Sequence, residues 1–289
     1  MDVFHFSGLG TTWSISTDGE DLRTETKKNI LSFAENFEKR FSRFLPESES
    51  NALREAAAGT YPVSPDFVFL LQRAKTLREL TGGIYDPGFG KLLEYAGYDK
   101  EYRLLPQAAV ESFRLPRWSL EDQRLTIDGP IVFDFGGIGK GLCIDRLSEI
   151  LAQEGYRHFL VEGGGDMYGN VKLDDQGFRI ALEWPGKPDT AFGIINLKKQ
   201  GVAVSDSFKR RWGNWHHIID PQSKKPIETI LGCTAVANNS FDADSMTSGL
   251  FLSSPEAYPA LAKAFDASYV VFKSDGTILV SENWQGELF

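Results

Sequence analysis

Four segments of the chain carry residue types and spacings that can do chemistry. The first, FDADSMTSGLFL at 241–252, reads as the start of a helix with Asp244 and Ser248 four positions apart. On a helix that spacing puts both side chains on one face, within reach of a single ion. Oxygen donors of this kind suit magnesium or calcium rather than zinc. The same residues equally suit an ordinary helix start, which favours Asp and Ser as caps. The second segment, WHHIIDPQSKKP at 215–226, sets His216 and His217 side by side at a strand end. Successive strand residues point to opposite faces, so the two imidazoles must meet different surroundings. A histidine just before an Asp-Pro turn can act as a general base, since its unperturbed pKa lies near neutrality; Asp220 and Pro221 alone would make a plain hairpin.

The third segment, DFGGIGKGLCID at 134–145, is the densest glycine cluster and lies where a buried strand hands over to a helix. Main-chain N–H groups and the positive end of a helix dipole converge at such a place, which favours phosphate. Neither common nucleotide fingerprint fits: Lys140 is followed by Gly141 rather than Ser or Thr, and the glycine spacing misses the dinucleotide pattern. A tight strand-to-helix turn explains the glycines as well. The fourth segment, VEGGGDMYG at 161–169, is a hairpin or bulge with Asp166 as a turn residue, or a place where a planar ring approaches the backbone.

The elements that must position these segments follow from periodicity. A hairpin is expected at 3–7 and 11–16, then a helix over 21–44 with Ile30, Phe33, Phe37, Phe41 and Phe44 on one stripe. Ser64 and Pro65 open a second helix, which Gly82 and Gly83 end. The polar stretch 99–117 reads as an excursion outside the core. A strand through Leu125 and Ile127, a buried strand at 131–133 and a helix from Ile138 to a stop at Gly155 follow. Strands are then expected at 158–162, 167–171, 178–183, 192–197, 202–205, 215–219 and 233–237, helices at 242–252 and 255–265, and a last hairpin at 269–272 and 277–280. Strands arriving in runs, with helices grouped between them, favour an α+β fold over a doubly wound sheet.

Composition sets the outer limits. The chain has 289 residues, 42% hydrophobic and 25% charged, enough for a sizeable core, and its net charge of −9 excludes a broad phosphate-tracking nucleic-acid surface. Cys143 and Cys233 are the two cysteines, too few for a disulfide framework or a cysteine zinc site. Nowhere does an apolar run approach the ~20 residues that span a bilayer. The start lacks a basic, apolar leader, so a cytoplasmic location is expected, with a removed export signal as the alternative.

Taken in order, the segments resemble the ApbE family, flavin transferases that attach FMN from FAD to a threonine or serine of a protein. The resemblance begins at GTTW (10–13) and runs through FSRFLPESE (41–49) and TGGIYDPGFGKLLEYAGY (81–98). It is most specific in DFGGIGKGLCID, the GGD at 164–166, HIIDP at 217–221 and ADSMTS at 243–248. It implies an α+β fold of two interwoven, T-fold-like subdomains with a central ligand cleft, within one domain spanning 1–289. It implies FAD as substrate and Mg²⁺ as metal, with Asp244 and Ser248 binding the ion through side chains and Gly139 through its carbonyl. Lys140 and Asp145 would contact FAD, joined by Gly136, Gly137, Gly164, Gly165 and Asp166. His217 would take the acceptor hydroxyl's proton, and Asp220 would orient that region.

The acceptor is expected to be another protein, because no Asp-Gly-x-Thr-Ser-Ala-Thr segment occurs in the chain. Two other readings keep the same pocket: a flavin-binding protein without transfer, and an Mg²⁺-dependent FAD pyrophosphatase that hands FMN to water. The chain departs from the family pattern at Gln222 to Lys225, at Asp206, Arg54 and Gly139, and at Ser248, which keeps the hydroxyl.

Overall fold

A computed structural model describes residues 2–19, 21–101, 103–106, 109–171 and 176–289. Among these, eight strands form one wholly antiparallel sheet whose spatial order is the chain order. They are β1 (Asp2–Gly8), β2 (Thr11–Thr17), β3 (Phe159–Gly163), β4 (Asp166–Asn170), β5 (Gln200–Asp206), β6 (Ile230–Ala237), β7 (Ser268–Lys273) and β8 (Ile278–Val280). The helices α1 (Thr24–Phe41), α2 (Pro65–Leu80) and α3 (Gly139–Gln153) fall between β2 and β3, while α4 (Ser240–Phe251) and α5 (Tyr258–Phe265) fall between β6 and β7. Each half of the sheet is thus a pair of hairpins bracketing helices, which is the expected two-subdomain α+β design. The halves meet edge to edge at β4 and β5.

The strands show why one face takes the helices. Ala203, Ala235, Ala237, Tyr269 and Val271 join the core beneath the helices, while their neighbours Val202, Val236, Val270 and Phe272 join a second cluster on the opposite face. That alternation is the period of two of a strand buried on both sides. A three-stranded sheet of Phe178–Trp184, Lys187–Leu197 and Glu287–Leu288 covers the second face. Trp13 and Ile15 of β2 pack under α1 and α2, whose stripes carry Ile30, Phe37 and Phe41, and Phe67, Leu70, Leu71 and Leu77. Ser64 caps α2 by accepting from Phe67 N at 3.3 Å, as its sequence signature implies.

Several expectations are revised. Residues 131–133 are buried but form no strand: Val132 makes a lone parallel bridge to Phe89, and the N–H groups of Ile131 and Phe133 donate to the carbonyls of Leu53 and Ser50. An apolar run shows burial, and here loops rather than a sheet satisfy its backbone. The strand expected at 215–219 is two short ribbons, Arg211–Trp212 with Trp215–His216, and Ile219–Asp220 with Lys225–Pro226. Residues 59–62, 118–121 and 124–127 form a small sheet of which sequence reading found only part. The excursion at 99–117 reaches the core after all: a short helix, Ala109–Ser112, brings Val110 and Phe113 against Trp212 and Ile219. Its positions 102, 107 and 108 lie outside the described residues.

Candidate active site

Sheet geometry opens the cleft. β5 pairs with β4 only over Gln200 to Val202, then continues along β6 alone. The N–H of Val204, left without a strand partner on that side, donates to Asp166 Oδ1 at 3.0 Å. The cleft at this seam encloses about 490 Å³, and its walls include Thr11 and Gly164 from one half of the sheet and Val204 and Ser205 from the other. Such a volume falls among small-molecule sites.

Asp166 reaches the seam because Gly163 pairs with it across a two-residue turn in which Gly164 and Gly165 have φ of +63° and +97°. Positive φ at both positions is what glycine allows in a tight hairpin. The other Asp166 oxygen, Oδ2, lies 2.7 Å from Lys140 Nζ, an ion pair angled away from a hydrogen bond. Lys140 also stands 3.7 Å from Asp244 Oδ1. Burial alone would lower the Lys140 pKa, but Asp166 and Asp244 outweigh it and hold the ammonium charged beyond its ordinary range. Burial pushes the Asp244 carboxyl up, against the pull of Lys140.

Asp244 is placed by the contact of α3 with α4. Its Oδ2 accepts from Gly141 N at 2.9 Å. A Cβ at 141 would lie 2.4 Å from the Ser240 carbonyl and 2.7 Å from Asp244 Cβ, so only glycine lets the two helices approach. One turn further along α4, Ser248 Oγ donates to the Gly137 carbonyl at 2.5 Å. In the glycine turn, the N–H groups of Gly136, Ile138, Gly139 and Gly141 donate within the protein. Among the described residues no group of three or more His, Cys, Asp or Glu could hold a metal. The available set is instead mixed oxygen: one carboxylate, one hydroxyl and a main-chain carbonyl. With Asp244 ionised, two carboxylates around one ammonium leave an excess negative charge, which a hard divalent cation would neutralise, so the residues fit such an ion.

The two histidines separate as alternation requires. His216 is buried, with Nδ1 accepting from Ile218 N at 3.3 Å and Nε2 lying 3.0 Å from the Ile227 carbonyl. Those bonds assign its proton to Nε2. His217 turns to the cleft, where its Nδ1 is sealed from solvent and has no partner. Burial, then the charge of Arg210, depresses its pKa from 6.5 to about 3, so it is neutral at physiological pH.

Gly136, Gly137, Gly139, Lys140, Gly164, His217, Asp244 and Ser248 line the cleft. Asp145, Gly165, Asp166 and Asp220 do not. Gly165 N is held by Glu162 Oε1 at 3.0 Å, and Asp220 Oδ1 accepts from Gln222 N at 2.8 Å, as a turn residue does. Asp145 caps α4, accepting from Ser240 N and Phe241 N at 2.8 and 2.9 Å, and its burial raises its pKa to about 6. Asp145→Ala should therefore lower stability by about 1–2 kcal/mol, the worth of a cap, with a matching fall in Tm on thermal unfolding. Sequence reading missed Tyr85 and Asp86 on the cleft wall. Asp86 pairs with Arg78 and accepts from Trp118 Nε1 at 2.9 Å and Gly88 N at 2.8 Å. The one trace of this pair was the YDP between two glycine turns.

The family model described as the ApbE family matches residues 9–272. The chain belongs to the ApbE family. A Haemophilus influenzae relative named FAD:protein FMN transferase is 26% identical over 305 residues, covering 94% of this chain and 87% of its own. An Escherichia coli K12 relative of the same name is 23% identical over 279 residues, covering 89% and 79%. Among solved structures, the ApbE protein of Thermotoga maritima and the flavin transferase ApbE of Vibrio cholerae each superpose with a TM-score of 0.83 at 23% identity over 97% of both chains. The fold is therefore the ApbE fold, and among the described residues no helix is long and apolar enough to cross a membrane.

Three of the departures of this ApbE chain are held by local contacts. Asp206 closes its own turn, Oδ1 accepting from Phe208 N and Lys209 N at 2.8 Å. Gln222 Nε2 donates to the Gly83 carbonyl at 3.0 Å and Lys224 Nζ to the Glu111 carbonyl at 2.6 Å, tying the altered hairpin to the glycine turn after α2 and to the short helix Ala109–Ser112. Arg54 forks onto Glu94 at 2.8 and 2.7 Å.

Proposed function

We propose that this chain is an FAD:protein FMN transferase, Mg²⁺-dependent, acting on a Thr or Ser hydroxyl of a separate acceptor protein and releasing AMP, with residues 1–289 working as one unit. The observation that carries the reading is the convergence of His217, Lys140 and the Asp244–Ser248 pair, from three distant segments, on one cleft. Curated relatives with the transferase name support it over nearly the whole chain.

Asp244, Ser248 and a main-chain carbonyl of Gly137 or Gly139 would hold Mg²⁺, which when bound neutralises charge on the pyrophosphate oxygens. Lys140, held upright by Asp166, adds a fixed positive charge beside them. The neutral His217 imidazole takes the acceptor's proton. The acceptor oxygen then bonds to the flavin-side phosphorus, the bond from that phosphorus to the bridging oxygen breaks, and AMP leaves with the electron pair. Incoming phosphate charge offsets the cations that depress the imidazole pKa, so the base strengthens when substrate is in place.

Intact-mass spectrometry of a threonine-bearing acceptor domain incubated with this protein, FAD and Mg²⁺ tests the reading. The expected result is a gain of one FMN that EDTA abolishes. Free AMP and FMN without a mass gain would replace it with the pyrophosphatase reading, and intact bound FAD with the flavin-binding one. Lys140→Ala should weaken FAD binding by fluorescence titration and also cost about 3–5 kcal/mol of stability, because it strands buried Asp166 without a counter-charge. Unchanged FAD affinity would place the lysine outside the flavin site.

A further inference from the structure

Four cations other than histidine line the cleft: Arg43, Lys140, Lys209 and Arg210. Three are committed. Arg43 pairs with Asp134 and donates to the Tyr98 carbonyl at 2.7 Å, Lys140 pairs with Asp166, and Lys209 lies 3.7 Å from Asp206. Of these four, Arg210 alone has no carboxylate partner among the described residues. Its place is set by the ribbon that also carries His217. Arg211 pairs with His216 and Trp212 with Trp215, so the next pair outward is Arg210 with His217, and His217 N donates to the Arg210 carbonyl at 3.2 Å. Residues directly opposite in an antiparallel pair project from the same face with Cβ atoms about 4.5–5.5 Å apart. The two side chains therefore leave the ribbon from one face, both line the cleft, and the Arg210 charge acts on His217, while Arg211 and His216 face the other way.

A free guanidinium beside the group that takes the nucleophile's proton belongs where the attacked atom's charge is greatest. We propose that Arg210 is a substrate-binding residue that holds the non-bridging oxygens of the flavin-side phosphate, presenting that phosphorus to the hydroxyl whose proton His217 takes; this rests on the transferase reading above. A guanidinium suits the role because it offers paired donors in a plane that matches two phosphate oxygens. Nothing in the bond changes is altered: Arg210 stays protonated throughout, and the proton still goes to His217.

The test uses the full-length protein with two flavins that differ only in the phosphate, FMN and riboflavin. The wild type should bind FMN more tightly than riboflavin. Arg210→Gln should shrink that preference roughly tenfold to a hundredfold, the size of a charge-assisted hydrogen bond, with riboflavin affinity unchanged. Arg210→Lys should restore part of it. Arg211→Gln, with the same change of charge one residue away on the opposite face, should leave the preference intact. A preference unmoved by Arg210→Gln, or lost equally in Arg211→Gln, overturns the assignment, as does a parallel fall in affinity for both flavins, which would mark a structural role. A wild type that binds neither flavin would instead bring down the transferase reading itself.

Discussion

His217→Ala is expected to cut FMN transfer by about a hundredfold to ten-thousandfold, the usual worth of a positioned base, while FAD affinity changes by no more than a few-fold. The residue presents a neutral imidazole to the cleft, and among the described residues its ring makes no hydrogen bond, whereas His216 beside it bridges Ile218 and Ile227. Single-turnover transfer followed by intact mass, with FAD binding measured separately, checks both halves. A collapse of FAD affinity in step with transfer would make the residue part of the binding wall instead. Linkage adds an independent readout. The folded-state pKa is lowered from 6.5 to about 3, so above the unfolded value the group contributes its full share of stability, and that share is lost as pH falls and the unfolded chain takes up the proton. At pH 5.5 the variant should therefore gain about 1 kcal/mol relative to the wild type compared with pH 7.5, visible as a narrowed or inverted difference in Tm.

Much of this site was legible because its parts obey local rules. The i, i+4 spacing of Asp244 and Ser248 needed only a helix, and the opposed histidines needed only a strand. The glycines of 134–145 marked a close approach, and at Gly141 what approaches is α4. Three carboxylates hold backbone N–H groups in ways the sequence did not show, for one shared reason. Asp145 caps a helix far away in sequence, Asp166 satisfies an N–H left over where β4 and β5 part, and Asp206 closes a turn on itself. Carboxylate-to-backbone bonds of this kind leave no periodic trace, and the long-range ones depend on the packing that joins distant segments. The same holds for residues 131–133, where hydrophobicity announced burial but could not say which backbone would accept the N–H groups. The pairing of Arg210 with His217 lay beyond sequence for a related reason, since a one-residue shift in a two-residue ribbon would have turned the arginine away.

Asp244→Asn should abolish the Mg²⁺ response and lower transfer by at least about a hundredfold, more than is lost by removing an outer partner of a metal ligand, while leaving the protein folded. The fold survives because the bond that holds the side chain, from Gly141 N to Oδ2 at 2.9 Å, asks only for an acceptor oxygen, which asparagine supplies in the same volume. Burial already disfavours the charge at this position, so removing it relieves a desolvation cost. What changes is the balance of the cluster. With Asp244 ionised, two carboxylates surround Lys140 and one negative charge is in excess. With asparagine, Lys140 and Asp166 neutralise each other at 2.7 Å, and only a hydroxyl and a carbonyl remain to attract a cation. Mass action converts this into a measurement that needs no acceptor. Mg²⁺ should raise the Tm of the wild type with its concentration and leave that of the variant unmoved. A variant that kept the Mg²⁺-dependent shift would place the ion on Asp166 instead, because among the described residues Asp166 is the other carboxylate paired with Lys140.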